Sequence, residues 1–259
     1  MKRLRSWHTA LIALVIIVVA GGVLLTVRVS RAQTEPACAT RTFDGSRFIV
    51  CAFNAERDEL RLASRGDNGR HLRSFAALQA ELGRDARRVR FAMNAGMYNT
   101  AGAPIGLYIA NGAENQALSL TDGPGNFHMK PNGVFWQGED GRVHVDTSDA
   151  FAAERPPARW ATQSGPMLLI GGEMHPRFSE DGASRLTRNG VGVRDDARAF
   201  FVISAGFVSF GRFARFFRDE LGCTDALYLD GSVSSLWAPE LNRMDDDHEL
   251  GPMVVVLNR

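Results

Sequence analysis

Ala226-Leu227-Tyr228-Leu229-Asp230-Gly231-Ser232-Val233-Ser234 is the stretch on which the reading of this chain turns. Residues 226–229 are apolar or aromatic and uncharged, as in a short buried strand, and Asp-Gly-Ser then turns the chain. A carboxylate is thereby delivered to the end of a buried strand, at the edge of a sheet. The same arrangement recurs outward from this point. Residues 89–93 read as a second buried strand that runs into Asn94-Ala95-Gly96-Met97-Tyr98. Gln163-Ser164-Gly165-Pro166 precedes an apolar strand at 167–170, and Arg188-Asn189-Gly190 precedes a further strand at 191–194. The longest turn runs from Asp122 through Gly125-Asn126-Phe127-His128-Met129-Lys130-Pro131-Asn132-Gly133. Gly lets backbone N–H groups approach a ligand, and Asn, Ser and Gln add neutral donors. Such turns either reverse the chain and nothing more, or assemble into a pocket for an anionic or hydroxylated ligand.

The remaining segments fill in around these strands. Cys38 and Cys51 flank Asp44-Gly45, a favoured two-residue hairpin turn. In that register paired residue numbers add to 89, and Cys38 with Cys51 satisfies the sum at a non-hydrogen-bonded position, where side chains approach most closely. A disulfide is predicted there, and it requires an oxidising compartment. Cys223, just before an apolar strand, reads as a small buried residue. Residues 59–63 alternate as a third strand, and 105–110 and 199–204 give others. Residues 134–136 and 143–145 form a hairpin, and 253–257 closes the fold. Ser74 caps a helix carrying Phe75, Leu78 and Leu82. The longest helix is expected to start at Ser209, with Phe210, Phe213, Phe217 and Leu221 on one side, and to end at Gly222. Phe207 and Phe216 are placed with them in the core. Many strands and two clear helices in mixed order predict an α+β (mixed α/β) single domain, a mixed sheet flanked by helices.

The 259 residues are 45% hydrophobic and 23% charged, with Arg far outnumbering Lys: Lys2 and Lys130 are the only lysines. Thr9 to Val27 is uncharged, preceded by Lys2, Arg3 and Arg5 and followed by Arg28 and Arg31. This reads as a hydrophobic helix at 9–27, a transmembrane anchor with a cytoplasmic N-tail or a cleaved signal peptide. Residues 1–32 are thus separated from a domain at 33–259, which lies outside the cytoplasm on either reading. Without residues 1–32 the chain has 25 basic against 29 acidic side chains, a net charge of −4. That argues against nucleic acid as a partner. No nucleophile elbow, P-loop, H-E-x-x-H or C-x-x-C motif is present. No cofactor is expected, and the acidic run 245–249 reads as a solvated loop, not a metal site.

The five turn segments, with Val134-Phe135 and Met167 continuing two of them and Val191-Gly192 a third, together resemble the phosphodiester glycosidase family. The similarity extends over residues 38 to 258 and is nearest to the compact bacterial exported branch. Family members often have a second Gly where Ser232 stands and Thr-Ala where Asn189-Gly190 stands. The resemblance implies cleavage of a sugar from a glycosyl phosphodiester, with cell-envelope polysaccharide as the expected source. Such cleavage passes through an oxocarbenium-like state in which the departing phosphate needs little protonation. Asp230 is the expected nucleophile or general base, and Asp122 the second carboxylate. Arg188 suits bidentate capture of phosphate, and Lys130 a compact point charge. Asn94, Asn132 and Ser232 are expected to bind sugar hydroxyls or phosphate, and Met97 and Tyr98 to form an apolar wall. Gly96, Gly133, Gln163, Ser164, Gly165, Asn189 and Gly231 complete the expected pocket. His128 is either a proton-exchanging group near neutral pH or a turn residue bonded to backbone. A non-catalytic envelope glycan-binding module, or a phosphodiesterase cutting P–O, would use the same pocket.

Overall fold

The unbroken apolar runs become strands covered on both faces. A computed structural model describes residues 36–259; the expected hydrophobic helix at 9–27 and the 1–32 segment lie outside them. Among the described residues no helix is long and apolar enough to cross a membrane. The strands in chain order are β1 (Cys38–Phe43), β2 (Ser46–Asn54), β3 (Asp58–Ala63), β4 (Val89–Asn94), β5 (Tyr108–Ala110) and β6 (Ala113–Gln116). There follow β7 (Gly133–Gly138), β8 (Val143–Thr147), β9 (Ala158–Ser164), β10 (Met167–Ile170), β11 (Glu173–Met174) and β12 (Asn189–Asp195). The last are β13 (Arg198–Ser204), β14 (Asp225–Asp230), β15 (Leu236–Ala238), β16 (Arg243–Met244) and β17 (Met253–Asn258). Three short helices join them: α1 (Phe75–Leu82), α2 (Ser148–Glu154) and α3 (Phe210–Arg215).

The strands form three sheets, ordered β1-β2-β13-β12-β14-β10-β11, β16-β15-β4-β17-β3 and β6-β5-β9-β7-β8. Their inner faces meet in one shared core. Phe201 and Leu229 come from the first sheet, Phe91 and Val256 from the second, and Phe135 and Trp160 from the third. The alternate residues face outward under a helix, as the two-residue period of a strand requires. Val255 and Leu257 lie under Phe75 and Leu78 of α1. Val134 and Trp136 lie under Phe151 of α2. Phe200 and Val202 lie under the phenylalanines of α3 and the turn after it. Burying each such side chain stabilises the fold by roughly 1.5–3 kcal/mol, which explains why runs such as MVVVLN show no polar alternation. In β12 the helix side carries Gly190 and Gly192. A Cβ at Gly192 would meet Phe217 at 2.5 Å, so glycine is what lets the helical segment lie on the sheet.

The hairpin has the expected register. Cys38 pairs with Cys51 in β1–β2 and is disulfide-bonded to it, with Cα atoms 4.0 Å apart. Ser74 and Ser209 cap α1 and α3 by accepting from the N–H groups of Ala77 and Arg212.

Four expectations are corrected. The sheet is not mixed: each strand pairing among the described residues is antiparallel, the sequence-distant pairs β2–β13 and β3–β17 included. The long helix from Ser209 is α-helical only to Arg215 and continues as a π turn, Phe216–Glu220. The wider turn buries two adjacent phenylalanines, Phe216 stacked on Phe48 at 4.0 Å and Phe217 edge-on to Phe213 at 5.1 Å. The strand expected at 105–110 is ordered as a strand only from Tyr108. Phe207 is not in the core but 73% exposed.

Candidate functional site

Three strands from three different sheets end side by side at the mouth of the shared core: β4 at Asn94, β9 at Ser164 and β14 at Asp230. The start of β12 joins them, since Asn189 pairs with Asp230. Buried side chains tie these ends together. Thr162 Oγ1 donates to the Ala95 carbonyl at 2.6 Å, and Ser164 Oγ to the Leu229 carbonyl at 3.0 Å. Asn189 Nδ2 donates to the Asn94 carbonyl at 2.8 Å, and Asn94 Oδ1 accepts from the Ser235 N–H at 2.9 Å. Ser234 Oγ donates to Asn189 Oδ1 at 3.1 Å. Gln163 Oε1 accepts from the Leu107 and Ser119 N–H groups at 3.0 and 2.9 Å, while Nε2 donates to the Ser119 carbonyl and Ser148 Oγ. Asn132 Nδ2 donates to the Phe127 carbonyl at 2.8 Å and holds the long turn closed. The five turns of the sequence therefore interlock in one place.

Above these ends lies a cleft of about 510 Å³. Its walls are Met97, Tyr98, Asn99 and Thr100 after β4, residues 124–128 of the long turn, and Tyr228, Asp230, Ser232 and Val233 of β14 and its turn, with Ile105 between. Asp230 is 7% exposed, and its Oδ1 accepts from the N–H groups of Gly231, Ser232 and Val233 at 2.5, 2.7 and 3.3 Å. No donor among the described residues bonds Oδ2. Burial pushes the Asp230 carboxyl above the ordinary range, against the three amides and the His248 imidazole. The Tyr98 hydroxyl, raised by burial and then by the Asp230 charge, donates to the Glu249 carbonyl at 2.5 Å. His128 Nδ1 lies 3.0 Å from the Thr121 carbonyl. That carbonyl can only accept, so Nδ1 carries the proton and Nε2 keeps its lone pair in the neutral ring. His128 is thus both bonded to backbone and part of the cleft.

Several expected ligand groups face elsewhere. Asn94, Asn132, Gln163, Ser164 and Asn189 are buried behind the cleft with their amides or hydroxyls engaged as above. Gly96, Gly133 and Gly165 act by close packing: a Cβ on Gly165 would meet Asn132 Cβ at 2.6 Å, and one on Gly96 would meet Thr162 Oγ1 at 2.8 Å. A Cβ on Gly133 would run into Met167 Sδ. Asp122 and Lys130 are ion-paired at 2.9 Å on the outside of the long turn, and the Asp122 side chain is 91% exposed. The Lys130 ammonium holds the Asp122 carboxyl below the ordinary range and also donates to the Leu120 carbonyl at 2.6 Å. Arg188 is wholly buried. Its Nε donates to the Val208 carbonyl and Nη2 to the Ser184 carbonyl, each at 2.9 Å, while Nη1 has no acceptor among the described residues.

The guanidinium of Arg188 stacks 3.6 Å from the Phe210 ring centroid and 5.3 Å from that of Tyr228. Burial lowers its affinity for the proton, and Tyr228 opposes that. Tyr228 is the wall residue that sequence reasoning assigned only to a strand. It shares a face of β14 with Asp230, two residues on, and that period was a signal available from the sequence. Burial pushes its phenol far up, while Arg188 pulls it down. A side chain at Gly231 would collide with the Tyr228 hydroxyl, so glycine keeps that hydroxyl within the cleft wall. Asn126 also enters the cleft from the long turn. Among the described residues no cluster of His, Cys, Asp and Glu could hold a metal ion.

The sequence matches the family model for phosphodiester glycosidase (NAGPA) over residues 87–257. It is 36% identical over 184 residues to "Uncharacterized protein YigE" of Escherichia coli (strain K12), covering 71% of each chain. The fold resembles the catalytic domain of zebrafish N-acetylglucosamine-1-phosphodiester alpha-N-acetylglucosaminidase, auto-inhibited by its pro-peptide. There the TM-score is 0.59 and the identity 14%, over 88% of this chain and 85% of that one. It also resembles a hypothetical protein from Synechocystis, with TM-score 0.55 and 16% identity over 86% and 61% of the two chains. At those identities the structural likeness is one of fold, whereas the family match spans more than half of the sequence. The chain belongs to the phosphodiester glycosidase family.

Proposed function

We propose that the chain is an exported hydrolase that cleaves the glycosidic C–O bond of a glycosyl phosphodiester in the Asp230 cleft. One observation carries this reading: Asp230 has one carboxylate oxygen fixed by three backbone N–H groups, and its other oxygen takes no hydrogen bond from the described residues beside the cleft. A carboxylate so fixed is oriented before substrate arrives. Oδ2 meets the anomeric carbon, directly as nucleophile or through a water. The bonding pair of the C1–O bond leaves with the phosphate monoester, whose low basicity makes a strong general acid unnecessary. Asp230 is the one acid of the cleft wall among the described residues. With Asp122 turned outward, departure of the phosphate rests on neutral donors: the Tyr228 hydroxyl, the Asn126 amide and Ser232, with His128 beside them. The unpaired cation of Arg188 behind Tyr228 favours negative charge on that side of the cleft.

Export is supported by the Cys38–Cys51 bridge, since disulfides form and persist in oxidising compartments. The test is release of sugar from a panel of sugar 1-phosphodiesters by the wild type and Asp230→Asn. Turnover by the wild type that falls at least about a thousandfold in the variant is expected, the scale for losing a catalytic group of this kind. Retained activity in Asp230→Asn removes Asp230 from the reaction. Oxygen from labelled water in the phosphate, not the sugar, would instead mark P–O cleavage, and binding without turnover a glycan-binding module.

A further inference from the structure

Arg73 holds a backbone conformation that side chains rarely adopt, with a φ of 60° just before Ser74 caps α1. A left-handed residue other than glycine costs free energy and persists where its surroundings fix it, often beside a functional site. We propose that Arg73 is a positioning residue of the Asp230 cleft, holding the ring of Tyr98 in the cleft wall. The proposal rests on the hydrolase reading of that cleft.

Tyr98 belongs to a loop that gives Met97, Tyr98, Asn99, Thr100 and Ile105 to the cleft wall. Backbone bonds close this loop on itself: the Asn99 N–H donates to the Ala103 carbonyl at 2.9 Å, and the Ile105 N–H to the Met97 carbonyl at 3.2 Å. They shape the loop but do not anchor the Tyr98 ring. Arg73 and residues 249–251 anchor it, with Arg73 itself outside the cleft wall. The guanidinium carbon of Arg73 lies 5.3 Å from the centre of the Tyr98 ring, and Nη2 donates to Glu249 Oε2 at 2.5 Å. The Tyr98 hydroxyl donates to the Glu249 carbonyl, so ring and guanidinium grip the same residue. The Arg73 carbonyl accepts from the N–H of Leu250 at 2.8 Å, and Leu250 is buried with Phe75 and Leu78 of α1. Two glycines make room. A Cβ on Gly102 would run into the Arg73 guanidinium, and one on Gly251 into the Tyr98 ring. The ion pair alone does not explain this depth: the Glu249 side chain is 78% exposed, and a pair with so exposed a partner is worth little. The Arg73 side chain is only 22% exposed, and its Nη1 is buried without an acceptor among the described residues. It lies instead against the ring, where a cation gains more as water is excluded.

The experiment uses the full chain labelled with 3-fluorotyrosine, whose 3 tyrosines give separate fluorine resonances, that of Tyr98 being assigned by its loss in Tyr98→Phe. The substrate is an N-acetylglucosamine 1-phosphodiester with a methyl aglycone. Arg73→Met keeps bulk and removes the cation, whereas Arg73→Gly removes the side chain and accepts the left-handed backbone without strain. Either variant is expected to raise KM about five- to tenfold, the worth of a partly desolvated cation–π contact, with kcat within about twofold. The Tyr98 resonance should move toward its value in the unfolded chain, while those of Tyr108 and Tyr228 stay in place. An unchanged KM, a kcat that falls as far as KM rises, or an unmoved Tyr98 resonance overturns the assignment. If the wild type does not turn the substrate over, the hydrolase reading has failed. The Tyr98 resonance then decides separately: movement in both variants upholds the hold of Arg73 on the wall, and constancy overturns it.

Discussion

Asn189→Ala separates the two roles that a buried asparagine beside a cleft can have. Asn189 is fully buried, as is Asn94. The substitution takes away the donor to the Asn94 carbonyl, at 2.8 Å, and the acceptor of Asn94 Nδ2, at 3.4 Å. Ser234 Oγ keeps the Asp230 and Thr187 carbonyls as alternative acceptors, so its loss is small. Two polar groups of Asn94 are left where water does not reach. At about 1–3 kcal/mol for each unsatisfied buried group, and less for the long 3.4 Å bond, the total is roughly 2–4 kcal/mol. In a domain of this size about 1 kcal/mol moves Tm by roughly 2–4 °C. Tm of Asn189→Ala, followed by circular dichroism, should therefore fall by about 4–16 °C. A direct substrate contact predicts the opposite pattern, an unchanged Tm and a raised KM. A fall in Tm of less than about 2 °C would refute the clamp.

Asp230→Asn should behave in the reverse way. Its folded pKa is raised by burial, so the wild-type carboxyl contributes most to stability at pH values below its unfolded pKa and loses that contribution as pH rises through the folded value. Urea unfolding from pH 4 upward should show the Asn variant gaining on the wild type, by at most about 1.4 kcal/mol per pH unit; a flat or opposite trend would contradict the burial argument. Cys38 and Cys51 are 13 residues apart, and opening a loop of that length by a Cys38→Ala, Cys51→Ala double substitution should cost about 3 kcal/mol in chemical denaturation. Cys223 is buried with its thiol pushed up to about 12. It should resist iodoacetamide at pH 8 in the native state and react once the chain is unfolded; labelling of the native protein would count against that burial.

What could be read from the sequence was whatever is local. The Cys38–Cys51 register follows from one turn, and the Ser74 and Ser209 caps from one side chain each. The apolar runs of β4, β13, β14 and β17 reveal themselves because both faces are covered. β9 hides because it mixes exposed Arg159 with Thr162, Gln163 and Ser164, which are buried only because partners distant in the sequence satisfy them. Composition cannot supply those partners. The same limit explains the ligand groups. An amide that clamps two strand ends and an amide that grips a sugar present the same donors and acceptors in a one-dimensional reading. Only the depth of Asn94, Asn189 and Gln163 separates them.

Arg188 shows that this division still leaves a link between clamp and chemistry. Its guanidinium is removed from water with no carboxylate of the described residues bonded to it, and burying an uncompensated cation is costly. A fold that wanted only volume there would gain from an apolar side chain. The charge lies instead against the ring of Tyr228, which lies on the same face of β14 as Asp230, so the cost is placed one residue behind the cleft wall. The residue first read as the phosphate's direct partner is better understood as fixing the electrostatic sign of the surface the phosphate would meet.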